Sequence, residues 1–381
     1  MEVSFLEELK KTWLTSLLGF VFLCAGSLLL TWNEGRAVHH AHSLDEAFNN
    51  VIALNPFEPV RPELEGRLVH ISGNLIVDEP LTEPEYGVSV QSVKLKRRVQ
   101  MYQWVEERTR RDYGDMVSSD TAETDYFYVT EWRDKLVDSR HFYIRHRHQN
   151  PTEIPLKTYV YVSPIVKVGQ LTLGTDIKNK FNDYIEVTGD QRPDRRDIKL
   201  HLGIYYHCDD VWNPQVGDIR VQFYYAGVNG EPVTVVGMQK NGILVPYKTT
   251  RNHEIALLRD GILTVTQIFD VEHSDARWET WKLRGAGVFV LYISAVCLKG
   301  LIRILLLKFP TFNQFAQQEI SSSSNLAISL SVSLLVISVT WVFYRPMIAI
   351  GLVLASLSPI IYCSMAFFNT GQNQNDVQHR R

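Results

Sequence analysis

The sequence has little of what would mark a secreted disulfide scaffold, a nucleotide enzyme or a nucleic-acid binder. It has 4 cysteines in 381 residues. Cys24, Cys297 and Cys363 fall in apolar runs, which leaves Cys208 alone in the long polar stretch between them. That stretch cannot close a disulfide on itself, so Cys208 is expected as a buried thiol or as a link between two chains. The polar stretch also has no Asn-x-Ser/Thr acceptor, because Asn150-Pro151-Thr152 fails on its proline. This absence favours an internal membrane compartment over the cell surface. No phosphate loop, dinucleotide fingerprint, HExxH helix or GxSxG elbow is present. A large charge of one sign is missing as well: 39 Lys+Arg oppose 42 Asp+Glu, for a net charge of −3. That average hides a split. Residues 33–282 hold 30 basic and 37 acidic residues, whereas the two ends together are basic. A phosphate backbone would be repelled by the acidic block, so no nucleic-acid partner is expected.

What is present is apolar length. Trp13 to Trp32 is a run of 20 residues without a charge. At about 1.5 Å per residue it matches the roughly 30 Å of a hydrocarbon core, with an interfacial tryptophan at each end. The run is too long for the apolar region of a cleaved signal, so a retained anchor is expected. A second run starts at Gly285 and continues past Lys299 and Arg303 to Leu307. Asn325–Tyr344 and Pro346–Phe368 follow as a pair divided by Arg345-Pro346, which predicts a helical hairpin kinked at Pro359.

The pattern therefore predicts an α+β membrane protein with four transmembrane helices, one N-terminal and three C-terminal. A large β-rich lumenal domain lies between helices 1 and 2. The expected divisions are a tail 1–12, helix 1 at 13–32, the β-rich domain 33–282 and helix 2 at 283–307. A loop 308–324, helix 3 at 325–344, helix 4 at 346–368 and a tail 369–381 complete the chain. Lys10, Lys11, Lys299, Arg303, Lys308, Arg380 and Arg381 would flank the cytosolic side, against Arg36, Lys282, Arg284 and Arg345 opposite. This bias puts both termini in the cytosol or nucleoplasm.

Within the block, Val93–Glu106 alternates. Val93, Leu95, Val99, Met101 and Val105 share one face, as in a long half-buried strand. Tyr126–Trp132 is expected to pair with it as a hairpin across a long polar loop. Further strands are expected at 68–76, 158–163, 201–206, 219–225, 233–239 and 262–269, with turns at Asn229-Gly230 and Asn241-Gly242. Ser43, with Glu46 three residues on, predicts a capped helix over 43–54. The whole is expected to be one compact, mostly antiparallel domain.

Candidate sites are sparse. His39, His40 and His42 follow the first run, and His141, His146 and His148 flank a basic stretch. Arg145 and Arg147 interleave the last two, which favours a solvated charged strand over a metal site. Glu34-Gly35-Arg36 and Glu65-Gly66-Arg67 echo one another and are expected as salt-bridged turns near the bilayer. Lys299 and Arg303, one helical turn apart, are expected to snorkel to the headgroups. Ser324, Ser331 and Ser338 recur every seven residues, and Ser329 and Ser333 add small polar surface. Together they form a close-packing helix face, for contact either within the chain or between copies. Phe312, Phe315, Ala316 and Ile320 would share one face of an interfacial helix. No catalytic, cofactor-binding or metal residue is assigned, and no enzyme activity is expected.

Six segments resemble the transmembrane protein 43 family, also called LUMA. They are Asn33-Glu34-Gly35-Arg36-Ala37, Glu65–His70, Val99–Glu106, Thr130-Glu131-Trp132-Arg133, Gly217–Val221 and Phe343-Tyr344-Arg345-Pro346, in order over about 300 residues. The resemblance implies a four-pass, self-associating protein of the endoplasmic reticulum and inner nuclear membrane. It further implies a role in nuclear-envelope organisation with emerin and lamins. It brings no catalytic residues. The segments left outside the membrane on the terminal side are short, and stable interfaces use about 20–30 residues a side, so lamin contact is expected to be indirect. The competing expectations are a channel or transport component, and a membrane-tethered ligand-binding domain or enzyme.

Overall fold

The computed structural model describes residues 5–110, 124–188, 193, 195, 197–307, 322–359 and 361–362. The chain divides into a helix unit, residues 1–46 and 269–381, and a β unit, residues 47–268.

In the helix unit, α1 spans Phe5–Asn50 and α3 spans Val265–Leu307; both run past the unit's border. A single turn, α2 (Thr175–Lys178), belongs to the β unit. Then come α4 (Ser322–Val342) and a shorter apolar helix, α5 (Pro346–Pro359). Three of these helices, α1, α3 and α4, are long and apolar enough to cross a membrane. The described part of the expected fourth span is shorter than the roughly 20 residues a crossing needs. The interfacial helix expected around Phe312–Ile320 lies outside the described residues.

Contacts fix the direction of the helices. Leu30 meets Gly287, and Gly19 meets Cys297 and Leu298, so α1 and α3 are antiparallel. Trp341 near the end of α4 meets Glu34 of α1, and Tyr344 just past it meets His39 edge-on at 6.2 Å, so α4 runs alongside α1 in the same sense. Beyond the uncharged runs, α1 and α3 stay paired: Asp45 and His273 are 3.5 Å apart. That continuation is about 20 Å long at 1.5 Å per residue.

The expected bounds 13–32 and 283–307 are too short, because α1 runs on to Asn50 and α3 starts at Val265, so the ends of the block 33–282 are helical. Two further expectations fail at the same borders. Ser43 does not start a helix. It lies inside α1, where its hydroxyl donates to His39 O at 2.9 Å. The strand expected over 262–269 is instead the start of α3. Thr264 Oγ1 accepts from Gln267 N, and Gln267 Oε1 accepts from Thr264 N at 2.9 Å. This is a capping box, which outweighs the β-branched residues near it.

The β unit contains two seven-stranded sheets. In the first, the pairings close on themselves: Leu68–Val77, Val166–Val168, Leu171–Leu173, Ile243–Val245, Pro232–Lys240, and back to Leu68–Val77. The ring leaves edges only at the two flanking strands, Ile52–Leu54 beside Leu68–Val77 and Leu257–Asp260 beside Pro232–Lys240, and alternation turns every second side chain inward. Val69, Ile71, Leu75, Val77, Val233 and Val235 fill the ring with Leu171 and Leu244. The second sheet centres on the strand Ser92–Arg110, which pairs with Ile219–Val228 and then with Thr124–Arg133 as the predicted hairpin. Its core is Tyr86, Leu95, Val99, Met101, Tyr205, Val221 and Phe223. The stretch 201–206 is not one strand. Leu202 (φ 50°) and Gly203 (φ 76°) turn it into a tight hairpin between Lys199–His201 and Ile204–His207. Positive φ at both turn residues suits the right-handed strand twist.

Candidate functional site

The densest polar cluster in the helix unit lies just past the uncharged run of α1. Glu34 is fully buried. Arg284 of α3 grips it with two hydrogen bonds, Nε to Oε1 at 2.6 Å and Nη2 to Oε2 at 2.7 Å. Trp341 of α4 donates its indole N–H to Glu34 Oε2 at 2.9 Å. One carboxylate thus ties three helices together. Around it, Asn33 Nδ2 donates to Thr280 O at 3.2 Å, and Arg36 pairs with Glu279 at 3.2 Å. The Arg284 guanidinium also lies 4.8 Å from the centre of the Trp281 ring, and that of Arg36 lies 5.6 Å from Trp32. Removing a carboxylate from water costs several kcal/mol. The bidentate geometry and the third donor offset that cost, because both carboxylate oxygens accept hydrogen bonds.

The sequence named Glu34 and Arg36 but not what they meet. They lie within α1 rather than in the expected turn, and they do not bridge one another; each reaches a different side chain of α3. One signal was available, since Glu34 follows one uncharged run and Arg284 precedes the next at the same level. Trp341 carried no such signal. Glu65 behaves differently again. Its carboxylate accepts from Asn241 N at 2.8 and 3.0 Å, closing the Asn241-Gly242 turn, and Arg67 instead gives its backbone carbonyl to Gln239 N at 3.0 Å.

The serines of α4 are mostly enclosed by their own chain. Ser329, Ser331, Ser333 and Ser338 are buried and Ser324 is half-buried. Leu326, Leu330, Leu335, Val339 and Val342 form the exposed stripe of the same helix. Ser331 Oγ and Asn325 Oδ1 are buried without a hydrogen-bond partner. On α3, Ser294 Oγ donates to Gly19 O at 2.8 Å, which brings two backbones close. Lys299 is half-buried and Arg303 exposed.

In the β unit, Cys208 is half-buried and unpaired, and burial pushes its thiol up, with Asp218 adding to the effect. The charged strand expected around His146 and His148 is instead a turn-containing loop, in which His146 is exposed and His148 is half-buried and stacks on Tyr128 at 3.9 Å. No group of three or more metal-binding side chains lies together among the described residues. A cleft of about 480 Å³ is lined by Phe181, Ile185, Tyr225, Glu231, Leu258 and Asp260, among others.

Long apolar helices locked into one bundle, with a two-sheet β unit inserted between the first two, define a multi-pass membrane protein. The profile described as Transmembrane protein 43 matches residues 101–346. The chain is 42% identical over 359 residues to the Transmembrane protein 43 homolog of Drosophila melanogaster, covering 93% of this chain and 96% of the relative. It is 32% identical over 366 residues to Transmembrane protein 43 of Homo sapiens, covering 94% and 91%. This chain belongs to the transmembrane protein 43 family. No solved structure matches it.

Proposed function

We propose that the protein is a non-enzymatic scaffold of the endoplasmic reticulum and inner nuclear membrane. It organises membrane-protein complexes and helps maintain the nuclear envelope. In this reading the chain crosses the bilayer four times, residues 33–282 are lumenal, and both termini face the cytosol or nucleoplasm. It self-associates and joins nuclear-envelope proteins such as emerin, and contact with lamins is indirect. The observation that carries the reading is the three-helix lock at Glu34. It joins three helices into one membrane frame, the property a scaffold needs. The family resemblance supplies the compartment and the partners. Because the α4 serines are enclosed within one chain, self-association would run through other surfaces.

Proximity labelling and crosslinking of the full-length protein in cells, tagged at each terminus, tests the proposal. Enrichment of inner nuclear membrane proteins and self-crosslinks, with cytosol-facing termini, is the expected result. Lumenal termini, or labelling dominated by plasma-membrane channel subunits, would overturn it. A transport role is the second reading, favoured by the unpartnered Asn325 and Ser331 oxygens inside the bundle. It predicts an ion flux in liposomes that Lys299→Ala abolishes. Ligand binding or catalysis by the β unit, favoured by its cleft, predicts a small molecule retained through purification.

A further inference from the structure

The segment Ser139–His148 contains Arg140, Arg145, Arg147 and three histidines, with no carboxylate, inside a block that is otherwise acidic. It folds over the middle of the Ser92–Arg110 and Thr124–Arg133 hairpin, at the Glu106 and Tyr128 pair, and is pinned there. Glu106 accepts from Tyr143 N at 2.5 Å and from the Tyr128 hydroxyl at 3.0 Å. Ile144 N donates to the Tyr128 hydroxyl at 2.7 Å. His148 stacks on Tyr128, meets Trp104 edge-on at 4.7 Å, and bonds to Ile144 O at 3.1 Å through Nδ1. Phe142 plugs the underside. These anchors hold Arg147 at φ +72°, a left-handed backbone that non-glycine residues adopt only when their surroundings enforce it.

What the pinned loop presents outward is apolar and cationic together. Tyr143, with one face stacked on Tyr126 at 4.5 Å, is still 71% exposed, and Ile144 is 48% exposed. Arg145, His146 and Arg147 beside them are exposed too. Arg140 is paired with Asp138 at 2.8 Å, which leaves Arg145 and Arg147 as the guanidiniums flanking the tip. An aromatic and an aliphatic side chain ringed by guanidiniums suit the interfacial zone of a bilayer. There the rings sit at headgroup depth and arginine forks meet phosphates. An acidic peptide would engage the arginines but leave Tyr143 and Ile144 without a use. We infer that this loop docks on a bilayer surface rich in anionic phospholipid, a contact separate from the transmembrane anchoring.

The test uses the full-length protein held in phosphatidylcholine nanodiscs, mixed with vesicles of phosphatidylcholine with or without phosphatidylserine. Vesicle capture is expected only with phosphatidylserine, and added salt should weaken it. Each arginine near an anionic surface contributes roughly fivefold in affinity, so Arg145→Ala with Arg147→Ala should lower it about 30-fold. Arg147→Gly should lower it roughly fivefold without harming the fold, because glycine favours the positive φ there. Ile144→Ser should lower it too, by removing the apolar contact. Equal capture by neutral vesicles, capture unchanged in all three variants, or binding to soluble poly-glutamate but not to vesicles would each overturn the inference.

Discussion

In the helix unit the closest approaches run through backbone and small side chains. A Cβ added to Gly287 would lie 2.5 Å from Leu30 Cδ2, and Ser294 reaches the carbonyl of Gly19 directly. In the β unit the same task falls to branched aliphatics filling a closed ring and to the Tyr86–Tyr205–Phe223 cluster, whose ring centres are 5.1 to 5.7 Å apart. The difference follows from the solvent each unit is built for. Lipid is as apolar as leucine, so helices in it gain from close packing and from polar ties. Water drives apolar side chains together, so the β unit gains from burying large ones. Both units bury a carboxylate against a guanidinium, Glu34 with Arg284 in the helix unit and Glu83 with Arg97 at 2.9 Å in the β unit. The β unit adds a second arrangement. The β unit buries Lys94 and Lys178 against oxygens that carry no charge: Lys94 Nζ donates to Asn179 O at 2.8 Å, and Lys178 Nζ to Ser163 O at 3.0 Å. Burial pushes both amines down from their ordinary range.

The contrast can be broken most directly at Glu34. Glu34→Ala should destabilise the helix unit by about 3–5 kcal/mol, because Arg284 is left without its counter-charge. Unfolding of the reconstituted protein measures this, and adding Arg284→Met should recover most of the loss. Leu75→Ala, inside the β ring, should cost about 2–5 kcal/mol through the cavity it leaves. If the units are independent, its effect adds to that of Glu34→Ala; strong non-additivity would show that the contrast is drawn too sharply.

Overpacking should separate the two environments further. Ser331→Leu forces bulk into a buried site and should cost about 1–3 kcal/mol, read as a lower thermal midpoint of the helix unit. Gly287→Ala should destabilise as well. Gly285→Ala, two residues away with nothing within 4 Å of the new Cβ, should instead stabilise by about 0.5–1 kcal/mol. Opposite signs at neighbouring glycines would mark the close-packed face.

The smallest expected effect concerns acid. His70 is buried; its Nε2 donates to Leu263 O at 3.0 Å and its Nδ1 has no partner. Burial therefore holds its pKa below the ordinary 6.5, and burial lowers His207, beside the Tyr86 hydroxyl, in the same direction. The unfolded chain binds these protons more readily than the folded one. The β unit should thus keep its full stability above about pH 6.5 and lose it as the pH falls toward the lowered folded values. Each histidine contributes at most about 1.4 kcal/mol per pH unit, so His70→Gln should flatten the acid limb of a pH–stability curve.

Runs of apolar residues and two-residue alternation are local patterns, and they were legible in the chain. The presence and order of the three long apolar helices and the Ser92–Arg110 hairpin follow from them, but not the reach of α1 to Asn50 or the start of α3 at Val265. So do the buried odd-numbered face of Val93–Met101 and the Asn241-Gly242 turn. The capping box at Thr264 and Gln267 was legible too, but it was masked by the Val265 and Ile268 beside it. Other features were not local. Glu34 meets Arg284 across 250 positions of sequence, and nothing near either residue names the other. The first sheet closes because Leu68–Val77 pairs with Pro232–Lys240, a choice made by the volume of the side chains inside. The loop Ser139–His148 looked like a charged strand until Glu106, Tyr128 and Trp104 were seen to pin it. Composition and period set which segments are helix, strand and membrane run. Which polar groups face one another, and so which charges are buried and which are offered outward, was decided only when distant segments packed.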